Sequence, residues 1–105
     1  MPETNINSFI DKIITSNNVV LFMKGTKDFP QCGFSATVVN ILKNLKVEFK
    51  DINVLHNEEV RKNIKIYSDW PTIPQLYVKG TFIGGCDIVK ALYEQGQLQK
   101  THKDL

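Results

Sequence analysis

The block Val19-Val20-Leu21-Phe22-Met23 constrains the fold more than any other stretch. A short run with no polar face reads as a buried strand, and helix-spaced stripes stand on either side of it. Ile6, Phe9, Ile10, Ile13 and Ile14 recur at helical spacing before it, until Asn17-Asn18 stops the pattern. After it come a loop, Lys24 to Gln31, and then Val38, Val39, Leu42 and Leu45 at three- and four-residue steps, which predict a second helix starting at Cys32. Val47 to Val54 alternates through Val47, Phe49 and Ile52 as a second strand, and Val60, Ile64 and Tyr67 mark a third helix over Asn57 to Tyr67. Gln75 to Lys79 and Thr81 to Gly84 flank Lys79-Gly80 as a tight hairpin, before Asp87 caps a final helix that Gly96 ends. The order α-β-α-β-α-β-β-α joins the first two strands in parallel by a right-handed crossover and makes the last two antiparallel. An α/β fold follows, with a four-stranded mixed sheet flanked by helices on both faces.

At 105 residues, without internal repeat or Gly/Ser linker, the whole of 1–105 is expected to form a single domain. Thirteen basic and eleven acidic residues leave a net charge of +2, too balanced for a nucleic-acid partner held by bulk electrostatics. No apolar run reaches the roughly 20 residues that cross a bilayer, and the start MPETNINSF lacks the features of a secretory signal, so no membrane association is expected. With two cysteines and no such signal, reduced and chemically active thiols are expected rather than a disulfide framework. The expected compartment is a cytoplasm of bacterial type, or an organellar matrix if a transit peptide has been removed.

Cys32 stands in DFPQCGFSATVV, at a helix entrance where unpaired N–H groups and the helix dipole favour the thiolate over the thiol. Pro74 lies just before a strand in WPTIPQ and predicts a turn that leaves the Ile73 N–H and C=O free to pair with an extended peptide ligand. Gly84-Gly85-Cys86-Asp87 marks a strand giving way to a helix. Its glycines serve a chain reversal or let a carboxylate approach the N–H groups of Cys86 and Asp87, while the Asp87 side chain caps the helix and is available to a ligand ammonium. Lys24 closes the first strand, and Arg61 and Lys65 share a face of the third helix, where Glu58 offers a surface partner. Lys65 reads as solvated surface; Lys24 and Arg61 become ligand contacts if an anionic peptide spans the site. Trp70 and Phe34 read as packing or rim contacts, and neither His56 nor His102 has a ligand-spaced partner.

Together, Lys24-Gly25-Thr26, Cys32-Gly33-Phe34-Ser35, Trp70-Pro71-Thr72-Ile73-Pro74-Gln75 and Gly84-Gly85-Cys86-Asp87 resemble a monothiol glutaredoxin of the CGFS type over nearly the whole chain. The resemblance implies a thioredoxin-like fold, Cys32 as the active thiol and cluster ligand, and glutathione held by Lys24, Arg61, Thr72, Ile73, Cys86 and Asp87. One departure is Lys27, where members usually carry a proline after Gly-Thr; a looser, more cationic loop is expected from it. Ser35 removes the fast intramolecular exit that a Cys-x-x-Cys pair provides, so turnover as a reductase should be slow. Glutathione, or Cys86 if it comes near Cys32, remains to resolve a mixed disulfide.

A 2Fe-2S cluster takes four thiolates, and this chain offers one exposed candidate. Two chains and two bound glutathiones would complete the set, so the resemblance implies a cluster-bridged homodimer that carries and transfers the cluster in iron-sulfur cluster assembly. It also implies pairing with BolA-like proteins and with cluster acceptor proteins. The alternative is a glutathione-dependent thiol-disulfide oxidoreductase acting by a monothiol route.

Overall fold

A computed structural model describes residues 2–103 of the chain, with side chains over 6–100. Its elements are α1 (Pro2–Ser16), β1 (Val19–Met23), α2 (Gly33–Asn44), β2 (Lys50–Asn53), a 3-10 turn (Val54–His56), α3 (Glu58–Ser68), β3 (Gln75–Val78), β4 (Thr81–Gly84), α4 (Cys86–Glu94) and α5 (Gln97–Lys103). The sheet runs β2-β1-β3-β4, with β1 and β2 parallel and the other two pairs antiparallel. This is the expected mixed four-stranded, thioredoxin-like arrangement.

All five residues of β1 are buried, and their alternation divides the interior into two cores. Val19, Leu21 and Met23 face Val38, Val39 and Leu42 of α2, Val89 of α4 and Leu98 of α5. Val20 and Phe22 face Ile6, Ile10 and Ile14 of α1 and Val60 and Ile64 of α3. Each fully buried aliphatic side chain contributes about 1.5–3 kcal/mol of transfer free energy, so a strand lined on both sides must lie mid-sheet.

Several expectations are corrected in detail. β2 begins only at Lys50, because Lys46 turns left-handed (φ 58°) and residues 47–49 form a lead-in whose Val47 and Phe49 pack on the α2 side. Gly85 rather than Asp87 is the N-cap of α4; Asp87 is the second helical residue, where its charge still suits the helix dipole. Gly96 (φ 75°) ends α4, yet the chain resumes as α5, which buries Leu98 in the core. Phe9 and Tyr67 are 47% and 39% exposed despite their helical spacing, and the Tyr67 hydroxyl donates to Asp11 Oδ1 at 2.9 Å.

The loop after β1 folds back on itself, with Gln31 N–H donating to Lys24 C=O at 2.9 Å and Thr26 and Phe29 exchanging backbone bonds of 3.2 and 3.1 Å. Gly25 N–H donates to Asn53 Oδ1 at 3.0 Å, tying the loop to the end of β2. Lys27 adds to that tie. Its N–H donates to Asp51 Oδ2 at 2.8 Å, and its ammonium reaches Phe49 C=O at 3.3 Å and lies 5.2 Å from the Phe49 ring centroid. The loop is therefore anchored by the residue expected to loosen it. Lys27→Pro should cost about 1–2 kcal/mol, the loss of a charge-assisted bond offset by reduced chain entropy, whereas Lys27→Ala, which keeps the N–H, should cost under about 1 kcal/mol. Urea denaturation of the two variants compares them directly.

Candidate functional site

Beyond the carboxyl end of β1, the start of α2, the end of α3, the turn before β3 and the start of α4 converge on a cavity of about 450 Å³. Its walls include Lys24, Cys32, Phe34, Lys65, Trp70, Thr72, Ile73, Cys86 and Asp87. Sequence reasoning placed eight of these nine, all but Lys65, as candidate contacts or rim residues on separate elements, and the fold brings them together.

Cys32 is the N-cap of α2, in extended conformation (φ −149°, ψ 138°), with its sulfur partly exposed. Its side chain makes no capping hydrogen bond, but as N-cap it stands at the helix end where the first-turn N–H groups have no intrahelical partner. The Ser35 N–H chiefly holds the thiol below the usual cysteine range; burial opposes this, and the Phe34 N–H and the Lys24 charge assist. Ser35, where a Cys-x-x-Cys pair would have its second thiol, is fully buried, and its Oγ accepts the Lys24 N–H at 3.1 Å.

Cys86 opens α4 in the same cavity, and there burial raises its pKa, with Asp87 adding to the effect and Lys90 opposing it. Both cysteines are free thiols. Thiolate reactivity appears as pH rises through each pKa. Iodoacetamide labelling of Cys32 should therefore reach half its plateau rate at lower pH than labelling of Cys86, and near neutrality Cys32 should label first. Peptide mass spectrometry across a pH series measures both, and the reverse order would mean that the first turn of α2 does not activate its sulfur.

The Ile73-Pro74 bond is cis, and neither the N–H nor the C=O of Ile73 has a hydrogen-bond partner among the described residues. Gln75, a residue the sequence reading did not single out, holds this wall. Fully buried, it donates from Nε2 to Trp70 C=O and Thr72 C=O, both at 3.2 Å, and accepts from the Tyr77 hydroxyl at 3.3 Å. Burial pushes Tyr77 up to about 12, so the phenol remains a donor. A glutamine within a buried apolar strand was the available signal, since such a side chain stays inside only when it is bonded. Opposite it, a Cβ on Gly85 would come within 3.1 Å of Trp70 Nε1 and 3.2 Å of Pro74 C=O, so this corner admits little more than backbone.

The cations are distributed differently from the sequence reading. Lys65, assigned there to solvated surface, lines the cavity, whereas Arg61 lies one turn earlier on α3 and is not part of the lining. Among the described residues no three His, Cys, Asp or Glu side chains are grouped to hold a metal ion; His56 lies in the 3-10 turn, and the side chain of His102 is outside the described residues.

A partly exposed sulfur at a helix start, beside a cis-proline turn on a four-stranded mixed sheet, defines a protein of the thioredoxin-like class. The sequence pattern of glutaredoxin matches residues 19–83, and the chain belongs to the glutaredoxin family. It is 58% identical over 104 residues to a Rickettsia typhi protein named probable monothiol glutaredoxin 2, covering 99% of this chain and 94% of that one. Poplar GrxS14, solved in its reduced apo form, is 54% identical with a TM-score of 0.87, covering 99% of this chain and 96% of that one. The fold alone is shared with a buckwheat glutaredoxin solved in complex with glutathione, at 20% identity and a TM-score of 0.87 over 97% of this chain and 91% of that one. No helix among the described residues is long and apolar enough to cross a membrane.

Proposed function

We propose that this chain is a monothiol glutaredoxin of the CGFS type that binds glutathione in the cavity and, as a homodimer, carries a 2Fe-2S cluster as cargo for iron-sulfur cluster assembly. The observation that carries the reading is the pairing of an activated, accessible Cys32 with a buried serine in place of a resolving thiol. Glutathione is an extended peptide with two carboxylates and one ammonium. The free Ile73 backbone matches its peptide groups, Lys24 and Lys65 match a carboxylate, the Cys86 and Asp87 N–H groups at the start of α4 match the other, and the Asp87 carboxylate suits the ammonium. Thr72 borders the same groove, and Arg61, one turn from Lys65, extends its positive field.

One sulfur per chain is too few to cage iron, so a second chain's Cys32 and two glutathione thiolates supply the remainder. A shell half composed of a dissociable small molecule favours release to acceptor proteins, and a BolA-like protein is the proposed partner in a mixed complex. The proposed compartment is a bacterial-type cytoplasm, in keeping with the Rickettsia relative. Anaerobic incubation with iron, sulfide and glutathione should give a coloured dimer, and omission of glutathione should leave a colourless monomer. Equal iron retention without glutathione would overturn the ligand set.

The activated Cys32 also favours a second reading, a monothiol oxidoreductase. Its thiolate would attack the glutathione sulfur of a glutathionylated protein and release the protein thiolate; a second glutathione would then regenerate Cys32 and leave as oxidised glutathione. Brisk steady-state deglutathionylation by a colourless monomer would favour this reading over cluster transport.

A further inference from the structure

We infer that Ser35 is a positioning residue for the reactive sulfur, its buried hydroxyl fastening the backbone of Lys24 to the first turn of α2, and not merely the place of an absent cysteine. The inference rests on the reading of Cys32 as the reactive sulfur. Lys24 follows the last residue of β1, and its N–H donates to Ser35 Oγ at 3.1 Å across eleven residues of sequence. Ser35 is fully buried, is not among the residues that line the cavity, and offers the Lys24 N–H the only acceptor found for it among the described residues. Meanwhile the Ser35 N–H, in the first turn of the helix that Cys32 caps, is the chief group favouring the Cys32 thiolate. One residue thus holds two neighbours of that sulfur: its own amide on one side and, through its hydroxyl, the foot of the Lys24 side chain on the other.

The Lys24 C=O accepts from Gln31 N–H at 2.9 Å, so the same peptide segment closes the loop that leads to Cys32. Removing the hydroxyl frees the Lys24 amide, loosens the end of β1, and lets the Lys24 ammonium drift from the thiolate it stabilises. Cysteine at this position would supply a much weaker acceptor, so the monothiol sequence gains a firmer junction as well as losing a resolving thiol.

Two readouts that require no glutathione test this in the full chain. In Ser35→Ala, the Lys24 amide should exchange with deuterium roughly tenfold faster while the β1 amides of Val20 and Phe22 keep their protection, as expected for loss of one local bond. The pH midpoint of Cys32 alkylation should rise, and that rise should vanish when Ser35→Ala is made in a Lys24→Ala background. Unchanged Lys24 exchange, equally faster exchange throughout β1, or a rise that persists without Lys24 would each overturn the inference. If Ser35→Ala does not fold, Ser35→Cys under reductant conserves volume with a poorer acceptor and should show the same faster Lys24 exchange, the readout that a second thiol does not disturb. Titration of wild-type protein with glutathione tests the site reading separately, so the two can fail independently.

Discussion

Replacing Cys32 by serine should abolish cluster assembly and mixed-disulfide formation while leaving the fold at full stability or slightly above it. The sulfur makes no capping bond at the start of α2, and its contribution to packing is small because it lies partly exposed at the cavity mouth. Serine is a preferred N-cap residue whose oxygen accepts from the second or third N–H of a helix, so the substitution could add up to about 1 kcal/mol. Chemistry, in contrast, loses everything. A hydroxyl with a pKa far above neutrality is neither a nucleophile towards disulfides nor a ligand for iron under these conditions. Far-UV circular dichroism and a thermal melt check the fold; visible absorption after anaerobic reconstitution and mass spectrometry with oxidised glutathione check the chemistry. A Cys32→Ser protein that still retained iron and sulfide would refute the assignment of Cys32 as ligand, and one that failed to fold would give the residue a structural task absent from its contacts.

Gly25→Ala should produce the largest loss of stability of any single methyl addition near the site. The residue has φ 91°, and a Cβ there would fall 2.5 Å from the Phe29 carbonyl oxygen and 2.6 Å from the Gln31 nitrogen. Both are backbone atoms of the closed loop, so relief requires the loop to open. Backbone strain of about 1–3 kcal/mol adds to the lost Gly25-to-Asn53 and Gln31-to-Lys24 bonds at about 1 kcal/mol each, giving a loss of about 3 kcal/mol or more. Gly33→Ala is the matched control. Nothing lies within 4 Å of its Cβ position and its φ is ordinary, so at the start of α2 alanine should change stability by less than about 0.5 kcal/mol. Urea midpoints at unchanged m-value separate the two; equal effects would mean that the loop is softer than its bonding suggests.

Much of the site was legible because its parts are local. Cys32 announces itself by a loop-to-helix transition, and Gly84-Gly85 by a strand-to-helix transition, each within a handful of residues. The Lys24 position follows from the end of β1. Gln75 escaped because its meaning depends on the carbonyls of Trp70 and Thr72 and on Tyr77, which only the folded turn aims at one amide. Lys65 escaped for another reason. Periodicity shows that Arg61 and Lys65 share a face, but four residues also separate them by about 6 Å along the helix axis, and which end meets the cavity depends on where α3 docks.

The order of elements as far as α4, the parallel and antiparallel pairings, the burial of Val19 to Met23 and the place of Cys32 at a helix entrance were all determined by sequence alone. They follow from side-chain period, turn chemistry and helix-end electrostatics, which act over a few residues. Tertiary structure alone decided that Lys65 faces the cavity, that Ser35 holds Lys24 through its hydroxyl, that Lys27 anchors its loop, and that a fifth helix docks through Leu98. These depend on atoms distant in sequence coming within hydrogen-bonding or packing distance, and no local period encodes where another element will lie.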